Sequence, residues 1–191
     1  MINLLVGVRL SHTNLVSEAV IPGDLIREVW KEDEKAGQPP FEYRTLAHLP
    51  VAHIARLQGY LVNPFYLGGL VSWMPKFDFQ LFLDYNKKYR ITLLFSVPAI
   101  YLLIAKSPFV TDQLDALKFA QSGVAPLGPE IQKTASVKLG KGKTYISQTW
   151  GLSETTGSAS SNLWGLKDET GSVGLLLPNI SFRYVKLDLE G

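Results

Sequence analysis

The sequence predicts an α/β domain, a mostly parallel sheet flanked by helices. Two observations carry that prediction. Segments with apolar residues at helical spacing take turns along the chain with short alternating or apolar runs of strand character. Several of the predicted strands also end in small or polar residues, where open parallel sheets hold their ligands.

Leu15, Ala19, Leu25, Ile26 and Trp30 predict a helix over 14–35, with Ser11 or Thr13 as its cap, an expected interruption at Pro22-Gly23, and an end at Gly37-Gln-Pro-Pro40. A strand is expected over 44–50, an apolar helix over 54–65, and a second strand over 69–74. Residues 78–88 read as an amphipathic helix capped by Asp78, followed by a strand over 91–96. Pro98 to Lys106 makes a short helix, and 115–122 a strand entering a turn. Pro129 opens a helix to Leu139, with Pro at the first position and Glu130 in the first turn. A strand over 144–149 precedes the polar stretch Ser153 to Asn162, read as loop or helix start. Gly171 to Asn179 reads as a turn before a last strand over 182–191.

Composition narrows the function classes. With 46% hydrophobic and 19% charged residues, 191 residues can bury a core, which excludes disordered and collagen-like classes. The absence of cysteine removes disulfides, thiolate catalysis and cysteine-ligated zinc. A net charge of +2 on scattered bases gives no electrostatic footprint for nucleic acid. No apolar run reaches the roughly 18 residues of a membrane span, and the N-terminus lacks a signal-peptide pattern. The expected setting is therefore intracellular.

The chemistry-bearing residues follow the strands. Ser122-Gly-Val-Ala-Pro-Leu-Gly-Pro129 leaves one strand, and Gly123 lets a ligand approach the backbone; a plain βα turn accounts for the same residues. Ser147-Gln-Thr-Trp-Gly-Leu-Ser-Glu-Thr-Thr156 leaves another. Trp150 can stack on a purine, Ser153 can donate to a phosphate, and Glu154 can hold a magnesium ion; a core Trp with a helix cap is the alternative. His53 opens the apolar helix, as a structural residue or a base, while His48 on the preceding strand reads as packing. Lys76 in Met74-Pro-Lys-Phe77 is by default a solvated turn residue. No serine hydrolase elbow is present.

Taken in order, Gly7-Val-Arg-Leu-Ser-His-Thr-Asn14, Leu49-Pro-Val-Ala-His53, Met74-Pro-Lys-Phe77, Ser122-Gly-Val-Ala-Pro-Leu127, Gln148-Thr-Trp-Gly-Leu-Ser-Glu-Thr-Thr156 and Gly171-Ser-Val-Gly174 resemble the adenylate-forming acyl–coenzyme A ligases. Within that superfamily the resemblance is to the 4-coumarate–coenzyme A ligase-like branch, and it covers nearly the whole chain. It implies ATP, Mg2+ and coenzyme A as reactants and cofactor. A carboxylic acid, an aromatic propenoate or a medium-chain fatty acid, would attack the α-phosphate to give an acyl-adenylate, and the coenzyme A thiol would then displace AMP.

Carried over residue by residue, the resemblance implies that Trp150 stacks near adenine, Gln148 and Gly151 line the nucleotide and acyl pocket, Ser153 meets the AMP phosphate and Glu154 ligates the metal. Gly123, Val124 and Ala125 would wall the adenylate and acyl group, His53 would sit beside the substrate carboxylate, and Lys76 near coenzyme A. Thr149 replaces the family's usual Gly, Val124 a common Ala and Ser153 a Thr, so the acyl side is expected to be narrowed and the hydroxyl kept. Ala55 and Gly59 are expected near the acid as well.

The resemblance also implies parts that these residues lack: a Ser/Thr/Gly-rich phosphate loop ending in Lys-Gly, a Thr-Gly-Asp that grips ribose, and a small C-terminal domain with a catalytic Lys. The chain thus reads as part of a large N-terminal domain, truncated at both ends and expected to be inactive alone. A catalytically dead nucleotide- or acyl-binding relic and a non-enzymatic interaction module are the other readings. Cytoplasmic and peroxisomal locations both fit the family.

Overall fold

The computed structural model describes residues 7–50, 52–162, 164 and 166–183. Its elements run α1 (His12–Lys35), β1 (Arg44–Ala47), α2 (Ile54–Leu57), a π-helical turn (Gln58–Val62), α3 (Asn63–Leu67), β2 (Leu70–Trp73), α4 (Phe79–Lys88), β3 (Leu93–Ser96), α5 (Pro98–Lys106), β4 (Phe119–Ser122), α6 (Pro129–Ser136), β5 (Ile146–Leu152), β6 (Gly157–Ser161) and β7 (Leu175–Leu176). The sheet order is β2-β1-β3-β4-β5-β6-β7. The strands from β2 through β5 pair in parallel, and β5-β6-β7 pair antiparallel. The mostly parallel α/β sheet expected from the sequence is the one observed.

Alternation along the strands sends side chains to two faces. Leu94 and Ala120 join Phe82, Tyr101, Ile104 and Leu139 in a core beneath α4, α5 and α6. Leu93 and Phe119 point the other way, into an aromatic cluster with Tyr43, Trp30, Phe41 and Trp164 under α1 and α3. Both faces are therefore covered, as a parallel sheet requires.

Helix α1 begins with a capping box: the Asn14 N–H donates to Ser11 Oγ at 3.1 Å and the Ser11 N–H to Asn14 Oδ1 at 3.1 Å. The interruption expected at Pro22-Gly23 does not occur, and the helix runs through both residues. Tertiary contacts override the local signal. Gly23 lies so close to the Tyr66 ring that a Cβ would fall 2.8 Å from it. Arg27 donates to the Tyr66 carbonyl and stacks 4.1 Å above its ring, and the Tyr66 hydroxyl donates to Asp24. Asp78 caps α4 as expected, accepting from the Leu81 N–H at 2.9 Å.

Two further expectations are corrected. Ser153 to Asn162 is neither loop nor helix start: a turn at 153–156 leads into β6, which pairs back on β5 past a bulge at Trp150/Gly151. Thr155 closes that turn, its Oγ1 accepting from the Leu152 N–H at 2.8 Å and lying 2.9 Å from the Gly157 carbonyl oxygen. The stretch 171–179 contains β7, whose Leu175 and Leu176 pair with Ser161 and Ser160. The strand expected over 182–191 lies outside the described residues from 184 onward, and 182–183 carry no strand. The apolar helix expected over 54–65 continues to Leu67, widened by the π-helical turn.

Candidate functional site

The C-terminal ends of β1, β3, β4 and β5 open on one side of the sheet, as the parallel pairing demands. There a cavity of about 280 Å³ is lined by His53, Ile54, Ala55, Phe95, Gly123, Val124, Thr149, Gly151, Leu152, Ser153, Glu154, Gly157 and Ser158. Predicted residues from three separate segments, His53, then Gly123-Val124, then Thr149, Gly151, Ser153 and Glu154, thus meet around one space. Ala125 is exposed beside it without lining it.

Each contributor is held by local structure. His53 caps α2 through Nδ1, which accepts from the Ala55 N–H at 3.2 Å and leaves Nε2 without a partner among the described residues. Glycine is required at 123, where a Cβ would sit 2.9 Å from Thr149 Cγ2. The next residue, Val124, has φ of 76°, strain in a β-branched residue of the kind that collects at ligand sites. Thr149 spends its hydroxyl on the Ser160 carbonyl at 2.7 Å and turns its methyl toward Gly123. Glu154 lies exposed at the tip of the turn that Thr155 closes.

Other predicted residues lie elsewhere. Gln148 is buried, its amide accepting from the Leu127 N–H at 3.0 Å and donating to the Leu127 carbonyl at 3.2 Å, which clamps the 122–128 loop. Trp150 is 39% exposed, its ring edge against Phe182, and is not a core residue. Lys76 is exposed on the turn after β2, outside the cavity. His48 packs as expected: Nδ1–H donates to the Leu46 carbonyl at 2.8 Å, Nε2 accepts from Ser96, and burial depresses its pKa to about 4.

Sequence reasoning missed Glu18. It lies on the face of α1 that also presents Pro22 and Ile26, a helical spacing that places a carboxyl among apolar residues. Only 8% exposed, it accepts from the Ser158 N–H at 2.6 Å. It lines a second cavity, of about 130 Å³, between α1, the π-helical turn and the sheet. Burial raises its pKa from 4.5 to about 7, against the opposing Ser158 hydrogen bond.

A raised carboxyl pKa destabilises the fold wherever the group must ionise. The full stability is present below pH 4.5, where both folded and unfolded states are protonated, and is lost as pH rises through 7. Glu18→Gln keeps an acceptor for Ser158 without the charge. We expect that variant to be more stable than the parent by about 2–3 kcal/mol at pH 8 and nearly equal to it at pH 4.5. Urea denaturation at the two pH values checks this, and equal midpoints at pH 8 would refute it.

Among the described residues no group of three or more His, Cys, Asp and Glu could hold a metal ion, and no helix is long and apolar enough to cross a membrane.

The profile of the AMP-binding enzyme family matches residues 7–190. A protein of Emericella nidulans that bears the name acyl-coenzyme A synthetase is 48% identical over 181 residues, covering 94% of this chain and 31% of its own length. One of Dictyostelium discoideum bearing the name 4-coumarate–CoA ligase 2 is 35% identical over 174 residues, covering 91% and 30%. Among solved structures, apo MatB from Rhodopseudomonas palustris superposes with a TM-score of 0.73 at 27% identity, covering 90% of this chain and 31% of that one. A benzoate CoA ligase from Burkholderia xenovorans LB400, at 19% identity and a TM-score of 0.67 over 88% of this chain and 32% of its own, shares the fold. The chain spans about a third of the length of these relatives. Residues 7–190 make it a member of the AMP-binding enzyme family.

Proposed function

We propose that the chain supplies the nucleotide- and acyl-facing part of a carboxylic acid–coenzyme A ligase, which forms an acyl-adenylate from ATP and then an acyl-CoA thioester. The observation that carries this reading is the strand-end cavity, where His53, Ser153 and Glu154 stand around a space that Gly123 and Gly151 also line. Relatives named acyl-coenzyme A synthetase and 4-coumarate–CoA ligase support the reaction class.

The residues suit the chemistry. Ser153 offers a hydroxyl to a phosphate, and His53, which lines the same cavity, offers Nε2 to a substrate carboxylate. Glu154 offers one exposed carboxylate, which suits Mg2+, an ion held through one or two carboxylates together with substrate phosphates and waters. Bound there, the ion would neutralise phosphate charge. Trp150, partly exposed at the bulge, has a face for adenine, and Lys76 is assigned to coenzyme A. Positioning and electrostatics do most of the work in such a reaction.

The activity belongs to a polypeptide of the relatives' length. A long-read transcript across the locus defines what to assay, and ATP–pyrophosphate exchange and thioester formation with aromatic propenoates and medium-chain fatty acids then test the reading. Carboxylate-dependent exchange is expected. No exchange with any acid would overturn the ligase reading in favour of a relic that only binds.

A further inference from the structure

The two cavities are neighbours. They share Ala55, Phe95, Gly157 and Ser158 in their linings, so the space under α1 lies directly behind the strand ends, within reach of the far end of an acid seated there. The walls of that inner space are mostly apolar, among them Ile26, Leu93 and Phe119. Its volume of about 130 Å³ is close to the ~150 Å³ that accommodates benzene in an engineered apolar cavity.

Against those walls stand three hydrogen-bond acceptors. Glu18 takes the Ser158 N–H on Oε1 and accepts nothing on Oε2 among the described residues. Gln58, 3% exposed, donates Nε2 to the Thr156 carbonyl at 3.3 Å, which fixes its amide orientation and leaves Oε1 buried without a partner among the described residues. Asn63 Oδ1 is likewise buried and unpartnered among them. Apolar cavities rarely keep acceptors unpaired, because each one forfeits the hydrogen bond it makes with water in the unfolded chain. A ligand that brings a donor removes that penalty, and one that lacks a donor leaves it in place.

We infer that Glu18 and Gln58 are specificity-determining residues that receive a hydroxyl carried by the acid remote from its carboxylate. The inference rests on the ligase reading only for the identity of the ligand as a carboxylic acid. A neutral hydroxyl suits the site better than an ammonium group, whose charge the apolar walls would desolvate. The near-neutral pKa of Glu18 fits this role, since its carboxyl is available both to accept and, when protonated, to donate. Glu18 sits on α1, some 140 residues of sequence from its partner Ser158, and meets the acid only because α1 packs over the β5–β6 hairpin.

The test uses the 191-residue chain and matched acids that differ by one hydroxyl: 3-(4-hydroxyphenyl)propenoate against 3-phenylpropenoate, and 8-hydroxyoctanoate against octanoate. Binding is read by calorimetry and by the fluorescence of Trp164, which lines the inner cavity. We expect the hydroxylated member of at least one pair to bind ~10-fold or more tightly than its partner. Glu18→Leu and Gln58→Leu are each expected to bring that ratio close to one by weakening the hydroxylated acid alone. A purely structural role for Glu18 would instead weaken both members equally. Equal binding in the parent chain, no binding of any of the four acids, or an unchanged ratio in both variants overturns the inference. If Glu18→Leu does not fold, Gln58→Leu decides it. Selective binding by this chain with no pyrophosphate exchange by the polypeptide of the relatives' length would refute the ligase reading and leave this inference standing, whereas exchange by that polypeptide without selectivity does the reverse.

Discussion

Gly151→Ala is expected to abolish the native hairpin and with it the strand-end cavity. A Cβ at 151 would overlap the Gly157 carbonyl oxygen and come within 2.8 Å of Ser158 Cα. Both neighbours are backbone atoms, so no side chain can swing aside. Relief requires β5 and β6 to separate at the bulge, which breaks the Gly151–Ser158 and Leu152–Gly157 pairings. It also pulls Ser158 away from Glu18 and leaves that carboxyl buried without its donor. A change that combines backbone overlap with an unpaired buried acceptor belongs to the most damaging class, at about 4 kcal/mol or more. Gly128→Ala is the control: nothing lies within 4 Å of its Cβ position and its φ of −63° suits any residue. Urea denaturation of the two variants checks the claim, and a Gly151→Ala chain as stable as the Gly128→Ala chain would sink it.

The same hairpin shows where the sequence could be read and where it could not. Asp78 before an amphipathic run and Pro129 at a first helical turn are local signals, and both elements form where expected. The strand ends were legible because small residues there, Gly123 above all, follow apolar runs. Strand β6 was not, since Gly157-Ser-Ala-Ser-Ser161 has neither β-branched residues nor an apolar alternation. It becomes a strand through pairing with β5 and through Thr149 and Ser160, whose hydroxyls find backbone carbonyls. Glu18 escaped notice for a related reason. A carboxylate on a helix with Glu and Lys further along reads as solvated, and only the hairpin, far away in sequence, makes it buried. Gln148, expected in a ligand loop, lies within β5, and the structure uses its amide to clamp Leu127 and does not turn it to the cavity.

Glu154→Ala and Lys76→Ala are expected to damage different half-reactions of the proposed ligase. Both side chains are exposed, so their removal costs little folding stability and the effects read out chemistry. Glu154 stands at the mouth of the strand-end cavity after β5. Lys76 follows β2, and β1, β3 and β4 lie between those two strands in the sheet, a separation of about 19 Å at ~4.8 Å per strand. Across that distance in solvent a lysine adds little to a phosphate held beside Glu154, because exposed charges are screened beyond ~10 Å. Loss of a carboxylate that anchors the metal should lower ATP–pyrophosphate exchange by about 100-fold or more, a magnitude typical of removing one electrostatic contact to the transition state. Lys76→Ala should leave exchange within about threefold of the parent and slow thioester formation, since only the second step uses coenzyme A. Exchange and thioester formation measured separately in the active polypeptide distinguish the two. Equal loss of both steps in the Lys76 variant would remove Lys76 from the coenzyme A side, and full exchange in the Glu154 variant would remove Glu154 from the metal.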